Sequence, residues 1–217
     1  MSVFAKASAS RSRSFKSVLG GVAVLGVSAI ILSGCAAPAA EEDTADDTTS
    51  ETREDLTLKI GTILPVTGSL AFLGPPEIAG VGLAAQQINE ADLGIQVEVT
   101  YGDSGDADNK AYATEVPRVL GDGVSAIIGA ASSGVSKLFI DDVTGAGVIQ
   151  FSPANTSADF TTWDDNGLYW RTAPSDVLQG EVLGNLIAED GNETLGIIYL
   201  NDSYGTGLKE FTSKAFV

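Results

Sequence analysis

Three short runs of small, hydroxyl-bearing residues are the parts of this chain best suited to holding a small molecule. They are Gly129-Ala130-Ala131-Ser132-Ser133-Gly134, Ser152-Pro153-Ala154-Asn155-Thr156-Ser157 and Asn201-Asp202-Ser203-Tyr204-Gly205. Hydroxyls and backbone amides in such loops donate to an anion, above all where a helix begins and its dipole favours negative charge. Ser133 is read at such a helix start, where its hydroxyl either caps its own helix or donates to a ligand carboxylate. Thr156 offers the same choice between a ligand contact and a local turn. Tyr204 either stacks on an apolar ligand or covers its own loop. A further loop, Pro65 to Gly74, brings Phe72 and Leu73 to the same end of the chain's strands.

Catalytic chemistry finds little support. The chain has no histidine, so neither a Ser-His-Asp nor a Cys-His arrangement can form within it. The glycines around Ser132 and Ser133 stand at 129 and 134 and make no G-x-S-x-G elbow. No S-x-x-K run, P-loop or dinucleotide fingerprint occurs. With 29 Asp and Glu residues, pairing any two carboxylates as acid and base carries no information. The reading is a binding protein rather than an enzyme, with no cofactor. One cysteine and no histidine leave no disulfide and no thiolate or imidazole metal site, so no metal is assigned. A formal charge of −17 opposes nucleic-acid binding, which needs cations to neutralise phosphates.

The single cysteine, Cys35, speaks to location. Lys6, Arg11, Arg13 and Lys16 precede an apolar run from Val18 to Leu32, 15 residues long. That is short of the roughly 20 needed to span a bilayer. Basic residues, a short apolar run and small residues before a cleavage point describe a secretory signal peptide over 1–34. Leu32-Ser33-Gly34-Cys35 also resembles a bacterial lipobox, which implies cleavage before Cys35 and lipid on its sulfur and new amino terminus. The expected location is the outer face of the cell membrane, held there by a lipid anchor on Cys35. Residues 35–55 then carry eight carboxylates, one Arg and no large apolar side chain. Such a segment buries too little to order itself and reads as a charged spacer.

From Leu56 the periodicity alternates between two and 3.6. Leu58, Ile60, Thr62 and Leu64 alternate as a strand. Pro75 and Pro76 then open a helix with Ile78, Val81, Ala85 and Ile88 on one face. Ile95 to Tyr101 is a second strand, and Asp108 is the expected N-cap of a helix through Leu120 that Pro117 kinks or shortens. Val124–Ile128, Val148–Phe151 and Leu168–Thr172 read as strands, separated by a helix over 133–144 and a polar loop. A helix over 176–189, a strand over 195–200 and a helix over 207–215 follow. The class is α/β, a parallel sheet with helices on both faces. Phe216-Val217 ends the sequence inside an amphipathic segment, which reads as a piece of a longer protein; one complete sheet of six or so strands is the alternative.

The runs IGTILPVTGSLAFLG, GAASSG, FSPANTS, YWRTAPSD with Gln179-Gly180, and NDSYGTGL resemble the branched-chain amino acid type of periplasmic binding protein, the substrate-binding components of ABC transporters. The resemblance implies a type I fold of two doubly wound parallel-sheet lobes. The first would occupy 56–172, and 173–217 would be a crossover and the start of a second, incomplete lobe. It implies that Ser133 holds a ligand carboxylate through hydroxyl and amide, that Ala154 and Thr156 serve the same head group, and that Tyr204 closes over it. Ser132 and Phe72 are placed with them. The family often has an aromatic residue where Leu73 stands, so the side-chain pocket is expected to differ from one built for leucine. An acidic partner for a ligand ammonium is expected outside the visible chain. The implied function is capture of a branched-chain amino acid or related small polar solute for ABC permease subunits. A sensory receptor module, or a binding protein for amides, urea or aromatic acids, is the alternative.

Overall fold

The computed structural model describes residues 56–216. The expected signal peptide, Cys35 and the expected acidic spacer lie outside the described residues. Five strands form one fully parallel sheet: β1 (Leu56–Leu64), β2 (Ile95–Asp103), β3 (Ala126–Gly129), β4 (Ile149–Ser152) and β5 (Tyr169–Arg171), in the order β2-β1-β3-β4-β5. Parallel neighbours need crossovers, and helices supply most of them: α1 (Gly74–Glu90), α2 (Tyr112–Gly121), α3 (Ser133–Ser136) and α4 (Ile140–Gly145). Order reverses after β2, so β1, β3 and β4 lie side by side and end together at Leu64, Gly129 and Ser152. Their following loops therefore share one edge, the place where open α/β sheets take ligands.

The main core packs β1 and β3 against α2, α3 and α4. Ile63, Val119, Ile127 and Val143 are fully buried within one cluster with Phe139. Each such side chain contributes about 1.5–3 kcal/mol relative to exposure. Gly129 ends β3 at φ +135°, and a Cβ there would stand 1.9 Å from the Ile63 carbonyl oxygen. Only glycine permits both that backbone and that approach.

Four expectations are corrected. Asp108 does not cap α2, which starts at Tyr112 after Ala111 with no side-chain cap. Asp106 and Asn109 instead fold the preceding residues into a turn, Asp106 Oδ1 accepting from the Asp108 and Asn109 amides at 3.0 and 2.9 Å. The helix over 133–144 is two short helices, because Phe139 leaves helical geometry at φ −141°, ψ 2° while burying its ring in the core. Residues 195–200 form no strand, since no neighbouring strand pairs with them among the described residues. Finally, the last helix, α6 (Ser203–Phe216), begins four residues before Gly207 because Asp202 Oδ1 accepts from the Gly205 amide at 2.7 Å.

α6 packs on α5 (Asp176–Glu189), which Ser175 caps through the Val177 amide at 3.3 Å. The pair lies beyond the sheet's last strand in sequence, and α6 touches α3 at the sheet's carboxyl edge.

Candidate functional site

The loops after β3 and β4 are locked to each other by their own side chains. The Ala130 carbonyl accepts from Ser136 Oγ at 3.2 Å, Ser152 Oγ at 2.7 Å and Asn155 Nδ2 at 3.1 Å. Asn155 also donates to the Ala131 carbonyl at 2.8 Å and accepts from Tyr169 Oη at 2.8 Å. Tyr169 stacks on Phe160 at 4.6 Å, and its burial pushes the phenol's pKa well up, so it remains a donor. Arg171 closes the other side, donating to the Ser157 carbonyl at 2.7 Å and to Thr161 Oγ1 at 2.9 Å. Most of these polar atoms are buried and matched, which holds the two loops rigidly to each other.

Within this frame the two serines divide the roles that were open for Ser133. Ser132 is the N-cap of α3, its Oγ accepting from the Val135 amide at 3.3 Å. Ser133 turns inward, 2 % exposed, and its Oγ accepts from the amides of Thr156 at 3.2 Å and Ser157 at 3.3 Å. A hydroxyl has two acceptor sites and one donor. With both acceptor sites engaged, Ser133 retains an O–H that can only donate, and the group it suits is an acceptor such as a carboxylate.

Thr156 is also buried, and its Oγ1 has no hydrogen-bond partner. Beside it lies Asp176, the first residue of α5, whose amide donates to the Thr156 carbonyl at 2.8 Å. Asp176 is fully buried and neither carboxylate oxygen has a partner. Burial raises its pKa, against the weaker opposing pull of the Thr156 hydroxyl and the charges of Arg171 and Lys137. An unsatisfied buried carboxylate is costly and calls for a cation or donor. Ala154 belongs to the same loop; its amide is taken by Ser152 Oγ at 3.3 Å, leaving its carbonyl to offer. The Ser133 and Thr156 hydroxyls, the Ala154 carbonyl and the Asp176 carboxylate are thus gathered on the loops after β3 and β4 and the start of α5.

The other expected residues lie elsewhere. Phe72, 70 % exposed, and Ser132 line a separate cavity of about 570 Å³ with Asp106, Val135, Leu200 and Asp202. Tyr204, in the first turn of α6, lines an apolar cavity of about 420 Å³ with Leu183, Ile187 and residues 195–200. The structure thus brings Ser133, Ala154 and Thr156 together, while Phe72 and Ser132 line one cavity and Tyr204 another. Asp176 is the residue that sequence reading missed as a site. An acid in the first turn of a helix satisfies the dipole, so its type and position carried no further signal.

Residues 57–216 match the family model described as periplasmic binding protein. The chain belongs to the periplasmic binding protein family. It is 33 % identical over 156 residues to the leucine-, isoleucine-, valine-, threonine- and alanine-binding protein of Pseudomonas aeruginosa, covering 70 % of this chain and 41 % of that one. The ABC transporter substrate-binding protein of Desulfitobacterium hafniense, solved in complex with Leu, is similar at 30 % identity and a TM-score of 0.60, over 74 % of this chain and 47 % of that one. The branched-chain amino acid transporter substrate binding protein LivJ of Streptococcus pneumoniae, solved with isoleucine, is similar at 26 % identity and a TM-score of 0.61, over 74 % and 47 %. This periplasmic binding protein chain therefore spans under half the length of the relatives it matches.

Proposed function

We propose that the protein is the extracytoplasmic solute-binding component of an ABC importer, and that it captures a branched-chain amino acid or a related small zwitterion. The observation that carries this reading is the buried trio of Ser133, Thr156 and Asp176. Ser133 and Thr156 offer hydroxyls to a carboxylate, while Asp176, the Ala154 carbonyl and Thr156 suit an ammonium. A ligand carrying both charges satisfies groups that otherwise remain unpaired, which is a gain available only on binding. The relatives named above for leucine and isoleucine support the same ligand class.

In this reading residues 56–172 are the first lobe and 173–217 the crossover and the start of the second. The solute sits between them and is buried when they close. Tyr204, Ser132 and Phe72 then shape its apolar end. Cys35 carries the lipid that tethers the mature chain to the membrane, residues 36–55 are the spacer, and ABC permease subunits take the solute from the closed form. No catalytic step is assigned.

Calorimetry of the full chain with L-leucine, L-isoleucine, urea, short amides and benzoate tests this. Binding of aliphatic amino acids supports the reading; binding of amides, urea or benzoate alone retains a solute-binding protein and rejects the zwitterion site.

A further inference from the structure

Lys137, just after α3, reaches two other elements at once. Its ammonium forms a salt bridge with Asp159 on the 3-10 turn over Ala158–Thr162. It also donates to Ser203 Oγ, on the first turn of α6, at 2.5 Å. Its side chain is only 20 % exposed and lies over the Phe160 ring, 5.7 Å from the centroid. Among the described residues this is the one side-chain hydrogen bond that joins the sheet and its loops to α6. A second contact falls at the same point: a Cβ on Gly134 would stand 3.9 Å from the Ser203 Cβ.

The charge sits where helix electrostatics oppose it. The first turn of α6 carries the positive end of the helix dipole, which favours anions. Asp159 offsets that penalty by pairing with the ammonium from the sheet side. Ser203 supplies only a neutral hydroxyl. The result is a bond across the cleft between a charge held on one side and a weak acceptor on the other. Such a bond breaks without leaving a bare ion, because Lys137 keeps Asp159 when α6 moves away.

We infer that Lys137 is a positioning residue that holds the Ser203–Gly205 turn against the Ser132–Gly134 loop and so sets how long a bound solute stays in the cleft. The inference rests on the solute-binding reading. Asn201 and Asp202 lead into this turn and Tyr204 belongs to it, so its distance from α3 controls how the cavity containing Phe72 and Ser132 closes.

The test uses Lys137→Met, Lys137→Arg, Ser203→Ala and the Lys137→Met/Ser203→Ala double variant of the full chain. Hydrogen exchange of the 201–207 amides is followed without solute, and L-leucine association and dissociation are followed by stopped flow. Loss of a partly exposed, charge-assisted bond predicts exchange and dissociation faster by about three- to tenfold in each single variant, with association little changed. The double variant should be no worse than either single one, and Lys137→Arg should restore most of the effect. Unchanged exchange and dissociation in both Lys137→Met and Ser203→Ala, or additive effects in the double variant, would overturn it. If the unsubstituted chain does not bind L-leucine, the zwitterion reading fails, and the exchange measurement still decides whether the contact exists.

Discussion

The amide of Asp176 donates to the Thr156 carbonyl at 2.8 Å, and this one bond fixes two buried, unpartnered groups side by side, a carboxylate and a hydroxyl. Neither makes a well-formed hydrogen bond among the described residues. Asp176 lies at the first turn of α5, where the dipole softens the cost of its charge, but burial still raises its pKa. The folded state consequently binds a proton more readily than the unfolded state. Its favourable contribution is complete below the ordinary carboxylate pKa and is lost as pH rises through the raised folded value. At neutral pH the ionised group is a cost that, in the proposed reading, a ligand's cationic group would relieve.

Asp176→Asn should therefore raise the melting temperature of the ligand-free protein at pH 7 and narrow its advantage at acid pH. The same change should weaken L-leucine by at least about tenfold, since a bond to a charged group contributes about 1.5–3 kcal/mol. Thermal denaturation from pH 4 to 8 and calorimetry check the two halves. A stability loss at pH 7 together with unchanged affinity would contradict the role given to Asp176.

Thr156 and Ser133 should separate in the same experiments. Thr156 Oγ1 makes no well-formed hydrogen bond and lies beside the Asp176 carboxylate, whose pKa it lowers, so Thr156→Val should change stability little. Ser133 Oγ receives two amides, so Ser133→Ala leaves both unpaired and should cost about 1–3 kcal/mol of stability. Both should weaken L-leucine by about 1–3 kcal/mol. Equal stability losses in the two variants would mean that the two hydroxyls are not used in these different ways.

How far the chain could be read before it was seen follows from what each feature depends on. The β1, β2 and β4 strands and α1 were legible because their patterns are local: alternation, or Pro75 and Pro76 at a helix start. Ser133, Ala154 and Thr156 were legible as hydroxyl-rich or small positions after strands, and the parallel order puts those strand ends together. The break at Phe139 was not, because it arises when a ring turns into a core assembled from distant strands. Residues 195–200 have strand composition but need a neighbour to become one, and composition cannot supply it. Lys137 gave no signal at all: its partners are 22 and 66 residues away.

Asp103 ties the first two loops together. It accepts from the amides of Val66, Thr67 and Gly105 at 2.9, 3.1 and 2.8 Å, and from Thr67 Oγ1 at 2.5 Å. Partial burial pushes its pKa up, but these donors outweigh it and hold the group below the usual carboxylate range. A depressed folded pKa gives stability that is present above the ordinary value and lost as pH falls through the folded one. Asp103→Asn should accordingly cost about 1–2 kcal/mol at pH 7, at the low end for charged acceptors because the loop is solvated, and less as pH falls below about 4. Denaturant titrations at pH 7 and below pH 4 check this; a penalty that does not shrink in acid would show that the charge is not what holds the loops.

The α5–α6 contact sets two local rules against each other. A Cβ on Gly180 would stand 2.5 Å from Phe211 Cβ, and one on Gly184 would stand 2.6 Å from Ala215 Cβ and from the Thr212 carbonyl oxygen. Helix propensity alone makes alanine better than glycine at such positions by about 1 kcal/mol. Overpacking against a helix backbone costs about 1–3 kcal/mol, and here two facing points cannot relax independently. Packing should win, so Gly180→Ala and Gly184→Ala should each destabilise in denaturant titrations, while Gly80→Ala in α1, with no atom within 4 Å of its Cβ position and an ordinary helical backbone, should not. Because α6 also carries Ser203 and Tyr204, the first two variants should weaken L-leucine as well. Stabilisation by either alanine would mean that the helices sit farther apart than this contact requires.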